Sequence, residues 1–363
     1  MTVRGDYGAA QIARSRWAAE ATLVRARGRA RPAVTLAELL GEWLDADHRW
    51  RPSTLAGYRS TAGFLIRDPL GARRAVDVTP RVLRAATTVW SAAGCREPTV
   101  SGRIRCLRSA LGWAYYERIL DRHPLDGMRG PPQPGVRLHA PVPTVRALLQ
   151  YAQHEVRVAE AGVDGTRTGW GRLHRAEQVL LLARLAADSG ARRGELAALQ
   201  VEDLDGDVLT IARGTSGEVI GPTKTGRVRR LTLGPTTAAL WHDSVQRWDD
   251  RWVELCRDRD GAPAGDWRFG PWLFSTGPDH RTRLRTSGAG HWFADLARDA
   301  GHPDITLHRL RHTVATTLVS RGDILGAQYR LGHHDASTTL RIYSHALPMT
   351  DADAAATLEQ SYR

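Results

Sequence analysis

Lysine is almost absent from this chain. Of 51 basic residues in 363 only Lys224 is lysine, so 50 are arginine, a bias that with 35 Gly and 18 Pro reflects a GC-rich genome. Cysteine is nearly as scarce: Cys95, Cys106 and Cys256 are an odd, scattered set without C-x-x-C spacing, which argues against a disulfide framework or a cysteine zinc site. Long apolar runs are missing too. The longest, from Val179 to Ala187, is broken by Arg184 and falls far short of the ~20 residues that cross a bilayer. The first residues, MTVRGDYGAA, carry no apolar stretch of the kind that opens a secretory signal. Acid is in deficit, 39 Asp+Glu giving a formal net charge of +12, so a polyanion is the expected partner. What is present, 42% hydrophobic residues and 12 Trp, suffices for two or three folded cores.

Residues 1–34 hold seven arginines against Asp6 and Glu20, which reads either as a DNA-touching arm or as a solvated helix. Residues 35–128 read as a small all-α domain. Thr35-Leu36-Ala37-Glu38 is a capping box, and Leu36, Leu39, Leu40, Trp43 and Leu44 follow on one helical face. Further helices are expected from Pro52, from Thr79-Pro80 with proline in the first turn, and from near Thr99. A proline-rich connector over 129–140 precedes a larger domain at 141–363. There the pattern predicts a helix from near Thr144 and an apolar helix over Ala176–Asp188 capped by Gly190. A small antiparallel sheet is expected from 208–211, 218–220 and 228–233, with helices from Gly288 onward.

The larger domain carries five short stretches with reactive side chains in order: Gly190-x-Arg192-x-x-Glu195-Leu196, Lys224 in an expected β-hairpin, His308-x-Leu310-Arg311-His312, Leu331-Gly332-His333, and Thr338-Thr339-x-x-x-Tyr343-x-His345. This order resembles the tyrosine recombinase (phage integrase) family. The resemblance covers the whole second domain, and the helical domain before it looks like the family's core-binding, SAM-like domain. The implied fold is mainly α with a small antiparallel sheet, a two-domain C-clamp.

Beside the resemblance, the residues have chemistry of their own. With Thr306 as N-cap, His308 and Arg311 are expected on one face in the first turn of a helix, whose free N–H groups suit a phosphate. Arg192 and Arg311 offer planar forks to phosphate oxygens. Tyr343, ten residues after His333, is the expected nucleophile. A phenol of pKa ~10 needs a base, for which His308 is the candidate. His333 is expected to hydrogen-bond the phosphate, whereas His312 and His334 read as structural or solvent-facing. His333-His334 is a poor metal pair, because adjacent side chains diverge and no carboxylate cluster accompanies them. Lys224 can donate a proton that arginine holds too tightly.

The resemblance implies a site-specific recombinase in which Tyr343 forms a 3′-phosphotyrosyl bond and frees a 5′-hydroxyl, with no ATP, metal or other cofactor. It implies double-stranded DNA as partner, a homotetramer on DNA and a monomer or weak oligomer off it. An accessory DNA-bending or directionality factor and a bacterial, cytoplasmic, nucleoid-associated location go with it. Two other readings are a type IB topoisomerase-like relaxing enzyme and a non-catalytic DNA-binding regulator. The tail after Tyr343, with the Ala-rich segment 351–360, is a candidate for docking on a neighbouring subunit or in cis. Arg309, where the family often has an acid, and the polar Gln328-Tyr329-Arg330 depart from the pattern, and residues 1–34 look short for a separate arm-binding domain.

Overall fold

A computed structural model of the chain describes residues 34–128, 139–164, 166–216, 218–257, 268–333, 335–343 and 359–360. The arginine-rich arm, most of the expected connector, His334, His345 and almost all of the tail lie outside the described residues. The chain divides into two units, Met1–Gln133 and Pro134–Arg363.

Within the first unit the described helices are α1 (Leu36–Asp45), α2 (Pro52–Arg67), α3 (Pro80–Ala92) and α4 (Glu97–Tyr116). The capping box at the start of α1 is formed. The Glu38 amide donates to the Thr35 hydroxyl at 3.2 Å, and the Thr35 amide donates to the Glu38 carboxylate at 2.9 Å. Leu36, Leu39, Leu40 and Trp43 are wholly buried, each worth about 1.5–3 kcal/mol of transfer from water. Proline in the first turn opens α2, α3 and α4, and for α4 this moves the start two residues ahead of Thr99.

The second unit is built on a long helix. After α5 (Val142–Ala161), α6 (Arg167–Ser189) packs against α5, α8 (Pro235–Leu255), α9 (Thr286–Asp299) and α10 (Leu307–Val319). The chain is completed by the short α7 (Arg193–Leu196), by α11 (Ile324–Leu331) and by α12 (Ala336–Tyr343).

The strands do not form the single sheet expected from the sequence. β1 (Leu204–Asp205), β2 (Val208–Ile211) and β5 (Arg229–Thr232) make an antiparallel sheet in the order β1-β2-β5, with Leu209 opposite Leu231. β3 (Arg213–Ser216) and β4 (Val219–Pro222) form a separate hairpin. The reason is burial: β2 and β5 alternate inward and outward over the core, whereas β4 is mostly exposed and has no core face to share.

Candidate active site

The site begins where α6 stops. Gly190 takes the left-handed conformation (φ 62°) that ends the helix. A Cβ there would come within 3.2 Å of Val314 and 3.3 Å of Leu331, tight contacts added to the backbone preference for glycine. Two residues on, Arg192 is the N-cap of α7, and Glu195 turns back to hold it. The carboxylate accepts from the Arg192 amide at 2.8 Å and from its guanidinium at 2.9 Å. Glu195 is buried and also bound by Arg229 from β5, at 2.6 and 3.2 Å. Burial pushes the Glu195 carboxyl up, but the hydrogen bonds and charges of Arg229 and Arg192 outweigh it and hold the group below the usual carboxylate range.

Helix α10 supplies the next pair. Thr306 is its N-cap, accepting from the Arg309 amide at 3.3 Å, so His308 lies in the first turn and faces outward. Arg311 is the fifth residue of the helix, in the second turn rather than the first, and its side chain runs inward. Its guanidinium donates to the carbonyls of Gly190 (2.6 Å) and Leu331 (2.5 Å), tying the end of α6 to the end of α11. Burial and the Arg192 charge push Arg311 down to about 9, so it remains a cation at neutral pH.

Lys224 stands in the turn between β4 and β5, which belong to different sheets, and not in a hairpin loop. Thr223, wholly buried, anchors the turn through its hydroxyl to the Arg227 carbonyl (2.8 Å), while the Gly226 amide closes it on the Thr223 carbonyl (2.9 Å). The lysine is exposed at the first central position. A cavity of about 1000 Å³ is lined by Arg192, Lys224, His308 and Arg311, and by Arg193 and Arg285. Glu218 is the one acid among the lining residues. This balance suits an anion with several oxygens.

His333 and Tyr343 do not line that cavity. Gly332 ends α11 in the left-handed conformation (φ 60°) with the Arg229 side chain against it, and His333 follows with Nδ1 2.9 Å from the Thr339 hydroxyl. Burial, then the charges of Arg311, Arg192 and Arg229, push His333 down to about 4, so its ring is neutral at pH 7. Tyr343, at the end of α12, is buried with its hydroxyl 2.5 Å from Nδ1 of His312. Nε2 of His312 in turn meets Nε2 of His308 at 3.1 Å. His312 is therefore neither a packing residue nor solvent-facing: it is buried between the expected nucleophile and the expected base. The departure at Arg309 is locally satisfied, since its guanidinium pairs with Asp304.

Two residues of the site escape sequence reasoning. Arg229 is one arginine among 50, and its only signal is position: it shares the inward face of β5 with Leu231, two residues on. His312 stands four residues after His308, a helical neighbour spacing that the motif itself displayed. Among the described residues no group of three or more His, Cys, Asp or Glu could hold a metal ion, and no helix is long and apolar enough to cross a membrane.

The model of the Phage integrase family matches residues 174–349, a span holding every residue of this site. That span is a tyrosine recombinase (phage integrase) domain. Tyrosine recombinase XerC of Escherichia coli O139:H28 (strain E24377A / ETEC) is 26% identical over 317 residues, 84% of this chain and 89% of that protein. A putative prophage phiRv2 integrase of Mycobacterium tuberculosis (strain ATCC 25618 / H37Rv) is 28% identical over 184 residues, 48% of this chain and 44% of that one. In fold, the chain resembles the Tn1549 transposon integrase in complex with a circular intermediate DNA. Its TM-score there is 0.64 at 18% identity, over 90% of this chain and 99% of that one. It also resembles a lambda integrase tetramer bound to a Holliday junction, with TM-score 0.60 at 17% identity, over 90% and 82% of the two chains.

Proposed function

We propose that this chain is a site-specific DNA recombinase that cleaves and rejoins strands through a 3′-phosphotyrosyl bond on Tyr343. The observation that carries the reading is the cationic cavity on which Arg192, Lys224, His308 and Arg311 converge from three separate segments of chain. A scissile phosphate fits it. Arg192 and Arg311 face oxygens whose charge grows in the transition state, each such donor being worth about 3–4 kcal/mol when removed. The Tyr343 oxygen attacks phosphorus, the P–O5′ bond breaks, and Lys224 gives the departing 5′-oxygen its proton. His333, neutral with Nδ1 on Thr339, offers Nε2 to a phosphate oxygen. A second 5′-hydroxyl then attacks the phosphotyrosine and reforms a diester, conserving bond energy.

The partner in this reading is duplex DNA, held mainly through phosphates, so affinity falls steeply with salt. A homotetramer on DNA, an accessory bending or directionality factor and action at the bacterial nucleoid belong to the same reading. So does the partition 1–34, 35–128, 129–140 and 141–363 into arm, core-binding domain, connector and catalytic domain. A non-catalytic regulator is disfavoured because all six expected residues are present in the sequence, and a topoisomerase because the similarity to recombinases runs over 84% of the chain.

The test is covalent trapping on nicked duplexes tiled across the DNA that flanks the gene. The wild-type protein should leave an SDS-resistant adduct on at least one tile and Tyr343→Phe on none. Absence of any wild-type adduct, or an adduct with the phenylalanine variant, overturns the reading.

A further inference from the structure

The hydroxyl of Tyr343 meets a histidine, but not the one whose place in the motif suggested a base. Its neighbour is His312, buried to 6% exposure, and a buried base cannot discharge a proton to water by itself. The other ring nitrogen of His312 points to His308, which is exposed on the cavity. Resting on the recombinase reading above, we propose that His312 is a further catalytic residue: it takes the proton of Tyr343 and passes a proton out through His308.

The relay requires one set of tautomers. To accept from the phenol, Nδ1 of His312 must be bare, so its proton is on Nε2. That N–H then donates to Nε2 of His308, which must be bare in turn, leaving the His308 proton on Nδ1. The row is thus aligned in one direction. In cleavage the Tyr343 O–H bond breaks as N–H forms at Nδ1 of His312. The Nε2 proton of His312 moves to Nε2 of His308, and the Nδ1 proton of His308 leaves to water in the cavity. One proton is lost by the phenol and one is gained by water, with each imidazole neutral before and after. Religation, which must reprotonate the phenol, runs the same row backwards. Arg311 lies near enough to Tyr343 for their charges to interact, which favours the phenolate as it forms.

The experiment measures the single-turnover rate of adduct formation on the tile that traps wild-type protein, with Tyr343→Phe as the inactive control. His312→Ala should cleave about 100-fold slower or worse, the ordinary worth of a positioned base. Two readouts separate proton transfer from mere support. A 5′-bridging sulfur, which needs no proton to depart, should leave the His312→Ala defect in place. Added imidazole should restore cleavage, with substituted imidazoles ranked by basicity. His312→Asn keeps a polar group beside the phenol but cannot relay, and should be as slow, which covers the case of an alanine variant that does not fold. His308→Gln combined with His312→Asn should be no slower than the slower single variant, since the two act in series. Cleavage at the wild-type rate by His312→Asn, rescue by the 5′-sulfur, or losses that multiply in the double variant each overturn the relay. None of them touches the recombinase reading, which stands or falls with the wild-type and Tyr343→Phe lanes.

Discussion

The second unit holds two histidine pairs whose Nε2 atoms approach to the same 3.1 Å, one at the cavity and one far along α6. The distal pair, His174 and His280, is buried. His280 is wholly buried, stacked on Trp248 and Phe269, with its Nδ1 donating to the Trp272 carbonyl at 2.6 Å. Burial drives His174 down to about 3 and His280 to about 4, so neither takes up a proton near neutrality. The cavity pair has the same internal contact but different ends: a phenol on one side and an exposed ring on the other. A contact between two histidines therefore says little about function. What each end of the pair can give to or take from decides it.

The contrast is sharpest in stability when a charge is removed. Glu195→Gln should cost about 3–5 kcal/mol and abolish cleavage, because it strands the buried charge of Arg229 and releases Arg192. In the distal region His174→Gln should cost about 1–3 kcal/mol, the loss of one buried hydrogen bond, and leave cleavage per folded molecule unchanged. Urea unfolding beside single-turnover cleavage decides it; a Glu195→Gln protein within 1 kcal/mol of wild type would remove the distinction.

Acid should act on the distal pair next. In the unfolded chain these histidines protonate below about pH 6.5, whereas in the fold they resist down to about 4 and about 3. The unfolded state then binds more protons, so stability is full above pH 6.5 and falls as pH drops below it, by up to about 1.4 kcal/mol per pH unit for each histidine. Unfolding free energies between pH 7 and 4.5 for wild type and for a His174→Gln/His280→Gln variant should diverge in slope. Parallel curves would show that the pair is not held neutral.

The smallest structural effect should accompany a large chemical one. Lys224 is exposed on its turn, so Lys224→Ala should change stability by no more than about 0.5 kcal/mol. It should nevertheless slow cleavage of an ordinary 5′-oxygen substrate by about 100-fold and largely spare a 5′-bridging sulfur. Equal loss on both substrates would deny Lys224 the role of general acid.

Much of this was legible beforehand. The α1 capping box and apolar face, the glycine stop of α6 and the cap of α10 follow from spacing over a few residues, because helices are specified locally. Three of the five ordered stretches, those of Arg192, Lys224 and the His308–Arg311 pair, supply side chains that line the cavity. The small antiparallel sheet is legible but its membership is not, because strand pairing is a choice among distant partners, and the exposed hairpin and the buried β2–β5 pair look alike in a string of short β-rich runs.

By itself, then, the sequence determined which residue types are available and in what order, including a single lysine on a turn that reaches the cavity. Tertiary structure alone decided their partners. Arg229 matters because β5 turns it inward onto Glu195, 34 residues away in the chain, and His312 because α12 lays Tyr343 against it from 31 residues away. Direction and burial of a side chain are set by elements that pack together, and no local pattern carries that information.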